Sequence, residues 1–185
     1  TAAIKEALGT DITMHTAEAY AEKLRAFLPR HQAENGFQII TGDAARAAAE
    51  YAAKTAYKET DAATYQAMEA LVHNLNTMNS RAGAQVPFSS LNYGTDTSPE
   101  GRMAVHNLLR ATEAGLGDGE TPIFPVQIFK VKEGVNYNEG DPNYDLFRHA
   151  LRCSAKRLFP NFSFLDAPFN LQYYKPGDYN TEVAY

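Results

Sequence analysis

The chain has 185 residues, 44% of them hydrophobic and 21% charged, with a formal net charge of -5. That length fits one domain with a helical appendage, enough to hide roughly 70% of the surface an unfolded chain exposes. Mild acidity argues against a nucleic-acid partner, because neutralising phosphates takes clustered Lys and Arg. The single cysteine, Cys153, excludes an internal disulfide or a multi-cysteine zinc site within these residues. No apolar run approaches the roughly 18 residues of a membrane helix, and the Ala-rich start lacks the basic-then-apolar order of a signal peptide. The expectation is a non-secreted, cytoplasmic protein with no membrane and no nucleic-acid partner.

Up to about residue 80 the period is helical. Ala17, Tyr20, Ala21, Leu24, Phe27 and Leu28 recur at the spacing of one helix face, with Thr13 or Thr16 as caps and Pro29 as a stop. A second helical stretch opens near Thr41-Gly42-Asp43 and carries Ala44, Ala47, Ala48, Tyr51 and Thr55 on one face. After a break near Asp61 it continues through Met68, Leu71, Val72, Leu75 and Met78. Small residues let helices approach closely, so the two stretches read as a packed antiparallel pair.

Beyond residue 80 strands alternate with helices. Residues 85–91 read as a short strand. Ser98-Pro99-Glu100 is a helix start, with a capping hydroxyl, Pro at the first helical position and a carboxylate in the first turn. Val105, Leu108, Leu109 and Thr112 mark the buried face of that helix, and Gly115 and Gly117 its stop. Residues 123–131 are apolar on nearly both alternating faces, as in a strand covered on both sides. The next helix follows Asp141-Pro142-Asn143, with Leu146, Phe147, Ala150, Leu151 and Leu158 turned inward. Residues 162–165 form another strand, and residues 181–185 look like a strand that begins and does not finish. The alternation predicts an α/β fold, an N-terminal helical pair (1–80) followed by parallel βαβαβ units (81–185).

Several motifs bear on chemistry. Gly115-Leu116-Gly117-Asp118-Gly119 follows a helix and precedes a strand, the reverse of a dinucleotide-binding order, and reads as a helix stop and turn. Residues 94–102 have the strand-loop-helix order of an anion site but lack the Lys-Ser/Thr pair of a P-loop, so capping competes with phosphate contact. Ser89, Ser90 and Asn92 lie late on a strand where apolar residues are normal. Ligands of parallel α/β proteins gather at strand carboxyl ends, so these three are candidates for lining a site, with backbone hydrogen bonding as the alternative. Asn136, Asn138, Asp141, Asn143 and Asp145 form a polar loop that turn and cap chemistry explains. His15, His31, His73, His106 and His149 show no metal-ligand spacing and read as surface or helix-face residues. Cys153 reads as a small core residue, and no nucleophile elbow or triad order is visible.

Longer runs are more specific. His73-Asn74-Leu75-Asn76-Thr77-Met78, then Ser80-Arg81-Ala82-Gly83-Ala84-Gln85-Val86-Pro87-Phe88-Ser89-Ser90-Leu91-Asn92-Tyr93-Gly94-Thr95-Asp96-Thr97, resembles the class III anaerobic ribonucleotide reductases. So do Gly119-Glu120-Thr121-Pro122-Ile123-Phe124-Pro125, Asp141-Pro142-Asn143-Tyr144-Asp145-Leu146-Phe147, Lys156-Arg157-Leu158-Phe159-Pro160-Asn161-Phe162 and Asp166-Ala167-Pro168-Phe169-Asn170. The likeness is dense from about residue 65 onward and thin before it.

The resemblance implies that the chain is an internal, inactive piece of a catalytic subunit, in which residues 81–185 form part of a ten-stranded α/β barrel. Glu-Val-Ala-Tyr is followed in that family by Met-Gly-Cys-Arg, whose cysteine is the radical site, so the chain is expected to stop just short of it. No catalytic residue and no metal ligand is then expected here, and the glycyl radical and zinc belong to parts outside these residues. The implied reaction removes the 2′-hydroxyl of a ribonucleoside triphosphate, with formate as reductant and a radical-SAM activating enzyme as partner. Ser89, Ser90 and Asn92 become candidates for the substrate wall. Residues 1–80 become a dimerisation region that binds a nucleoside triphosphate effector between two copies. Glu22, Arg25, Lys54 and Lys58 are its candidates, since cationic side chains hold phosphates; a solvated charged face is the alternative. Two other readings stay open: a self-contained sugar-phosphate enzyme, and a non-catalytic effector-binding dimerisation module.

Overall fold

The computed structural model describes residues 42–78 and 85–173. They fall into two units that meet between Ala62 and Ala63. Seven elements follow in chain order: α1 (Gly42–Thr77), β1 (Ser90–Tyr93), α2 (Pro99–Ala114), β2 (Val126–Val131), α3 (Tyr144–Arg157), β3 (Asn161–Phe164) and α4 (Pro168–Leu171). The predicted helix ending near Pro29 and the predicted strand at 181–185 lie outside the described residues.

Helix α1 runs unbroken for 36 residues. No Gly or Pro follows Gly42 before Thr77 and Ala is abundant, so nothing near Asp61 interrupts the backbone and the expected break is absent. In the first unit Ala47 and Tyr51 of the small-residue face are exposed rather than packed. In the second unit Val72 is buried among Tyr65, Met68, Leu91, Tyr93 and Leu116, against Leu108 and Ala111 of α2. Met78, expected on that face, is exposed, because the helix has already ended at Thr77.

Helix α2 begins where the local chemistry dictates. Ser98 is extended and its hydroxyl accepts a hydrogen bond from the Gly101 amide at 3.0 Å, while Pro99 opens the helix. Gly115, at φ 87, closes it. Arg157, on the last turn of α3, reaches this closed end and donates to the carbonyls of Glu113, Ala114 and Gly119 at 2.9, 2.8 and 2.6 Å. The first two are carbonyls that a helix end leaves without partners, and the third belongs to the turn that follows.

The strands form one parallel sheet in the order β1-β2-β3. Strands β1 and β2 are shorter than their predicted runs, and β3 matches the length of its run but begins one residue earlier. Strand β1 starts at Ser90 instead of Gln85, since Pro87 has no amide to donate and Phe88 is 92% exposed. Strand β2 starts at Val126 instead of Ile123, because Pro122 and Pro125 interrupt the donors and the amides of Ile123 and Phe124 go to Asn76 Oδ1. On one face Tyr93, Phe129, Val131 and Phe162 meet Val105 and Leu109 of α2 and Leu146, Phe147, Ala150 and Cys153 of α3. Leu151 and Leu158 are exposed rather than inward-facing. Leu158 caps α3 in the left-handed region at φ 65, so its side chain leaves the helix stripe.

Alternation sends every second strand residue to the other face: Ser90 and Asn92 on β1, Val126, Ile128 and Lys130 on β2, and Asn161 and Ser163 on β3. Residues 123–131 were expected to be covered on both sides; Ile123 is instead 67% exposed and Val126 and Ile128 only half-buried. The observed architecture is thus α/β with a small three-stranded parallel sheet and both crossover helices on one side.

Candidate functional site

The two sheet faces differ in chemistry. On the helix side Tyr93 donates to Gln127 Oε1 at 2.6 Å, and Gln127 donates to the Thr112 hydroxyl at 2.8 Å, which in turn donates to the Leu108 carbonyl. Burial, with a smaller contribution from Cys153, holds the Tyr93 phenol well above its ordinary pKa, so it stays a neutral donor. This buried polar thread is structural: it satisfies groups that an apolar core would leave unpaired.

The opposite face is polar. Asn92, Ile128 and Asn161 stand in register across the three strands, and Lys130 is in register with Ser163 one step further along. Neighbouring strands are about 4.8 Å apart, which places the Cα atoms of Asn92 and Asn161 roughly 10 Å from one another. Ser90, Asn92 and Asn161 are exposed. Lys130 is 2% exposed, and its burial lowers its pKa. A buried lysine on the inner alternation of a strand is rare without a charged or polar counterpart.

Of the candidate wall residues, expected late on a strand, Ser90 is instead the first residue of β1 and Asn92 the third, because the strand starts only after Pro87 and Phe88; the two share this face, two positions apart. Ser89 precedes the strand, and its hydroxyl turns to the Pro87 carbonyl at 3.4 Å, the backbone hydrogen bonding weighed as its alternative. Sequence reasoning missed Asn161, Ser163 and Lys130. A polar or charged residue inside each apolar strand run was the available signal, but only the register joins the three to Asn92. Lys54 and Lys58 are exposed on the first unit's part of α1, one turn apart. Glu22 and Arg25 lie outside the described residues.

The loops at the carboxyl ends of the strands are laced together. Asn136 Nδ2 donates to the carbonyls of Gly94 and Lys130 at 3.0 and 2.8 Å, while its Oδ1 accepts from the Lys132 amide at 2.9 Å. Asn143 Nδ2 donates to the carbonyls of Gly94 and Asp96 at 3.1 and 2.7 Å. Arg102 donates to Asn143 Oδ1 at 2.6 Å and to the Pro142 carbonyl, and grips Asp145 through two hydrogen bonds of 3.0 and 2.8 Å. Asp166, after β3, accepts from the Glu133 amide at 2.7 Å. Asn138 and Asp141 do make the expected turn, the Asn138 amide meeting Asp141 Oδ2 at 2.8 Å. Asn143 does not cap its helix: it holds the N-cap position of α3 yet makes no side-chain cap bond, because its carboxamide is committed across the loop to β1. At residues 94–102 capping prevails over an anion site. Ser98 caps Gly101, and the Asp96 carboxylate accepts from the Ser98 amide at 2.8 Å, placing a negative charge at that helix end.

Of the two expectations for the histidines, surface or helix face, His149 takes the second, on the inward face of α3. It is 6% exposed, because position 149 lies three residues after Leu146 and four before Cys153 on the inward stripe of α3. Its Nε2 lies 3.3 Å from Glu113 Oε2 and its ring packs on His106, in the helix layer. Cys153 is fully buried, and desolvation, reinforced by Glu113, pushes its thiol up to about 11. Two results are expected. Cys153 resists iodoacetamide at pH 8 in the folded chain and reacts on addition of urea. Stability measured by urea titration holds below about pH 8.5, the ordinary thiol value, and falls as pH rises toward 11, where the unfolded chain loses a proton that the folded chain keeps. Rapid native alkylation would contradict the buried placement.

The described residues thus define a parallel α/β sheet with helices on one face, a polar array on the other and joined loops at the strand ends. A family model described as anaerobic ribonucleoside-triphosphate reductase matches residues 32–184, and the chain belongs to that family. It is 41% identical over 107 residues to the anaerobic ribonucleoside-triphosphate reductase of Enterobacteria phage T4, covering 57% of this chain and 18% of that protein. Against the Escherichia coli protein of the same description it is 39% identical over 98 residues, 52% of this chain and 14% of the relative. Against that of Salmonella typhimurium it is 37% identical over 107 residues, 57% and 15%. The chain thus spans between 14% and 18% of the length of these curated relatives.

Proposed function

We propose that this chain is part of the catalytic subunit of an anaerobic ribonucleoside-triphosphate reductase and supplies the first strands of its barrel, with the Ser90, Asn92, Asn161 face turned toward the substrate. The observation that carries the reading is the family match over residues 32–184. The sheet supports it. The strand order 1-2-3 has no reversal, both crossover helices lie on one side, and the opposite face is polar, as the inner wall of a barrel around a polar substrate requires.

The reaction under this reading is removal of the 2′-hydroxyl of a ribonucleoside triphosphate by radical chemistry, with formate as reductant. Its glycyl radical, zinc and reactive cysteine belong to other parts of the polypeptide. Cys153 is buried and protonated in the helix layer. The polar face holds and orients the nucleotide: Asn92 and Asn161 offer carboxamide donors and acceptors, and Ser90 a hydroxyl. Such a wall also shields a reactive intermediate from water.

In the first unit Lys54 and Lys58 are proposed to meet a nucleoside triphosphate effector, together with Glu22 and Arg25, between two copies of the subunit. A radical-SAM enzyme would activate the whole protein, in the cytoplasm. Among the described residues no helix is long and apolar enough to cross a membrane.

The test uses the longer polypeptide that carries this chain, activated anaerobically and supplied with ribonucleoside triphosphates and formate. Deoxynucleoside triphosphates should form, and Asn92→Ala should lower kcat/KM by about 10- to 100-fold, the range that follows from losing one or two orienting hydrogen bonds. Absence of any ribonucleotide reduction by the activated, unsubstituted protein would refute the reading. The chain on its own is expected to be inactive.

A further inference from the structure

The most specific construction among the described residues outside the polar face is the pair of carboxamides that converge on one carbonyl. Asn136 and Asn143 are both fully buried, and both donate to Gly94 O, at 3.0 and 3.1 Å. Gly94 is the first residue after β1 and stands two positions beyond Asn92. Its backbone lies in the left-handed region at φ 121, and a Cβ there would come within 2.8 Å of the Lys130 carbonyl and 3.1 Å of the Phe129 ring. The β1 exit is therefore pressed against β2, with no slack on that side.

Each carboxamide also ties Gly94 to a second place. Asn136 joins it to Lys130 O and the Lys132 amide, which fixes where β2 ends. Asn143 joins it to Asp96 O and, through Oδ1, to Arg102 on the first turn of α2. Turn and cap chemistry requires neither amide to be buried, and Asn143 forgoes the cap bond available at its position. What the pair does fix is the placement of the β1 exit relative to β2, and with it Asn92 against Ile128.

We infer that Asn136 and Asn143 are positioning residues for the reductase reaction, a buried two-carboxamide clamp that sets where Asn92 stands against the nucleotide. The inference rests on the proposed function above. Only an amide serves both roles at each position, because one end must donate to two carbonyls while the other accepts. In Asn143→Asp a carboxylate oxygen faces the carbonyls of Gly94 and Asp96, while the oxygen that accepts from Arg102 is retained. Asn136→Asp does the same toward Gly94 and Lys130. The expected response is a shift of the β1 exit, and misplacement of about 1 Å near a reacting centre lowers rates by up to about 100-fold.

The experiment is steady-state kinetics of the complete, activated polypeptide with ribonucleoside triphosphate, comparing the unsubstituted protein, N136D, N143D and a control, Arg157→Gln. Arg157 holds the opposite end of the helix layer, at the C-terminus of α2, so its loss lowers the melting temperature without touching the β1 exit. Expected are a fall in kcat of about 10- to 100-fold in N136D and N143D with little change in KM, and an unchanged kcat in R157Q despite a comparable loss of thermal stability. Should either Asp variant fail to fold, Arg102→Gln decides: it leaves both carboxamides in place but removes the donor that orients Asn143, and a reduced kcat is again expected. Folded variants, or a folded R102Q, that match the unsubstituted kcat would overturn the clamp while leaving the reductase reading intact. If the unsubstituted protein reduces no ribonucleotide, the reductase reading falls and takes this inference with it.

Discussion

Replacing Phe129 with Ala is expected to destabilise the second unit by about 3–5 kcal/mol, the range for truncating a buried aromatic. Phe129 is fully buried at the centre of the sheet's helix side. Its ring lies 5.7 Å from Tyr93, 6.1 Å from Phe147 and 6.0 Å from Phe162, so one side chain joins β1, β2, β3 and α3. The same ring lies under Gly94, and removing it opens space beneath the β1 exit as well as a cavity in the core. Phe129→Leu keeps most of the volume and should lose less than half as much. Urea titration followed by far-ultraviolet circular dichroism measures both. A loss under about 1 kcal/mol for the Ala variant would mean that the aromatic cluster does not hold the sheet together.

Helix α2 was readable almost to the residue because its signals are local. Ser98, Pro99 and Glu100 act within one turn, and Gly115 ends the helix through its own backbone. The strands were less legible for the opposite reason. Apolar runs such as 123–131 contain prolines whose effect depends on which neighbour needs a donor there, and that neighbour, Asn76, lies 47 residues away from Ile123. The same distance problem hid the site. Polar residues in a strand run drew attention to Ser89, Ser90 and Asn92. Their companions Asn161, Ser163 and Lys130 sit on other strands, and no periodicity within one segment reveals the register that aligns them.

Asn136 and Asn143 show a different limit. In isolation both have the composition of a turn, and the loop does turn, through Asn138 and Asp141. What distinguishes the two buried asparagines is a pair of long-range carbonyls, on Gly94 and Asp96, that no local rule could supply. His149 lay within reach of a closer look at spacing, since it falls on the stripe of Leu146, Ala150 and Cys153. Residue type left surface and helix face both open for it, and its position on the helix decided its burial.

Asn76 carries the second large expectation, and its chemistry makes the sign of a pH dependence testable. Its Nδ2 donates to the Val72 and Phe124 carbonyls, both at 2.6 Å, and its Oδ1 accepts from the Ile123 and Phe124 amides at 2.8 and 3.0 Å. One half-buried side chain thereby stands in for the strand neighbour that the residues before β2 lack. Asn76→Ala should cost about 3 kcal/mol, from four hydrogen bonds at roughly 0.5–1.5 kcal/mol each with partial replacement by water. Asn76→Asp should be at least as damaging at pH 7, because a carboxylate oxygen then faces two carbonyl oxygens. Protonating that carboxyl restores one donor, so its pKa in the folded chain should lie above the ordinary Asp value of about 3.9. Relative to the parent chain the Asp variant should therefore recover stability as pH falls through the folded pKa toward about 4, and lose it again as pH rises. Paired urea titrations of Asn76→Asp and the parent chain between pH 4 and 7 measure this; a difference that stays constant across that range would show that the side chain does not face those carbonyls.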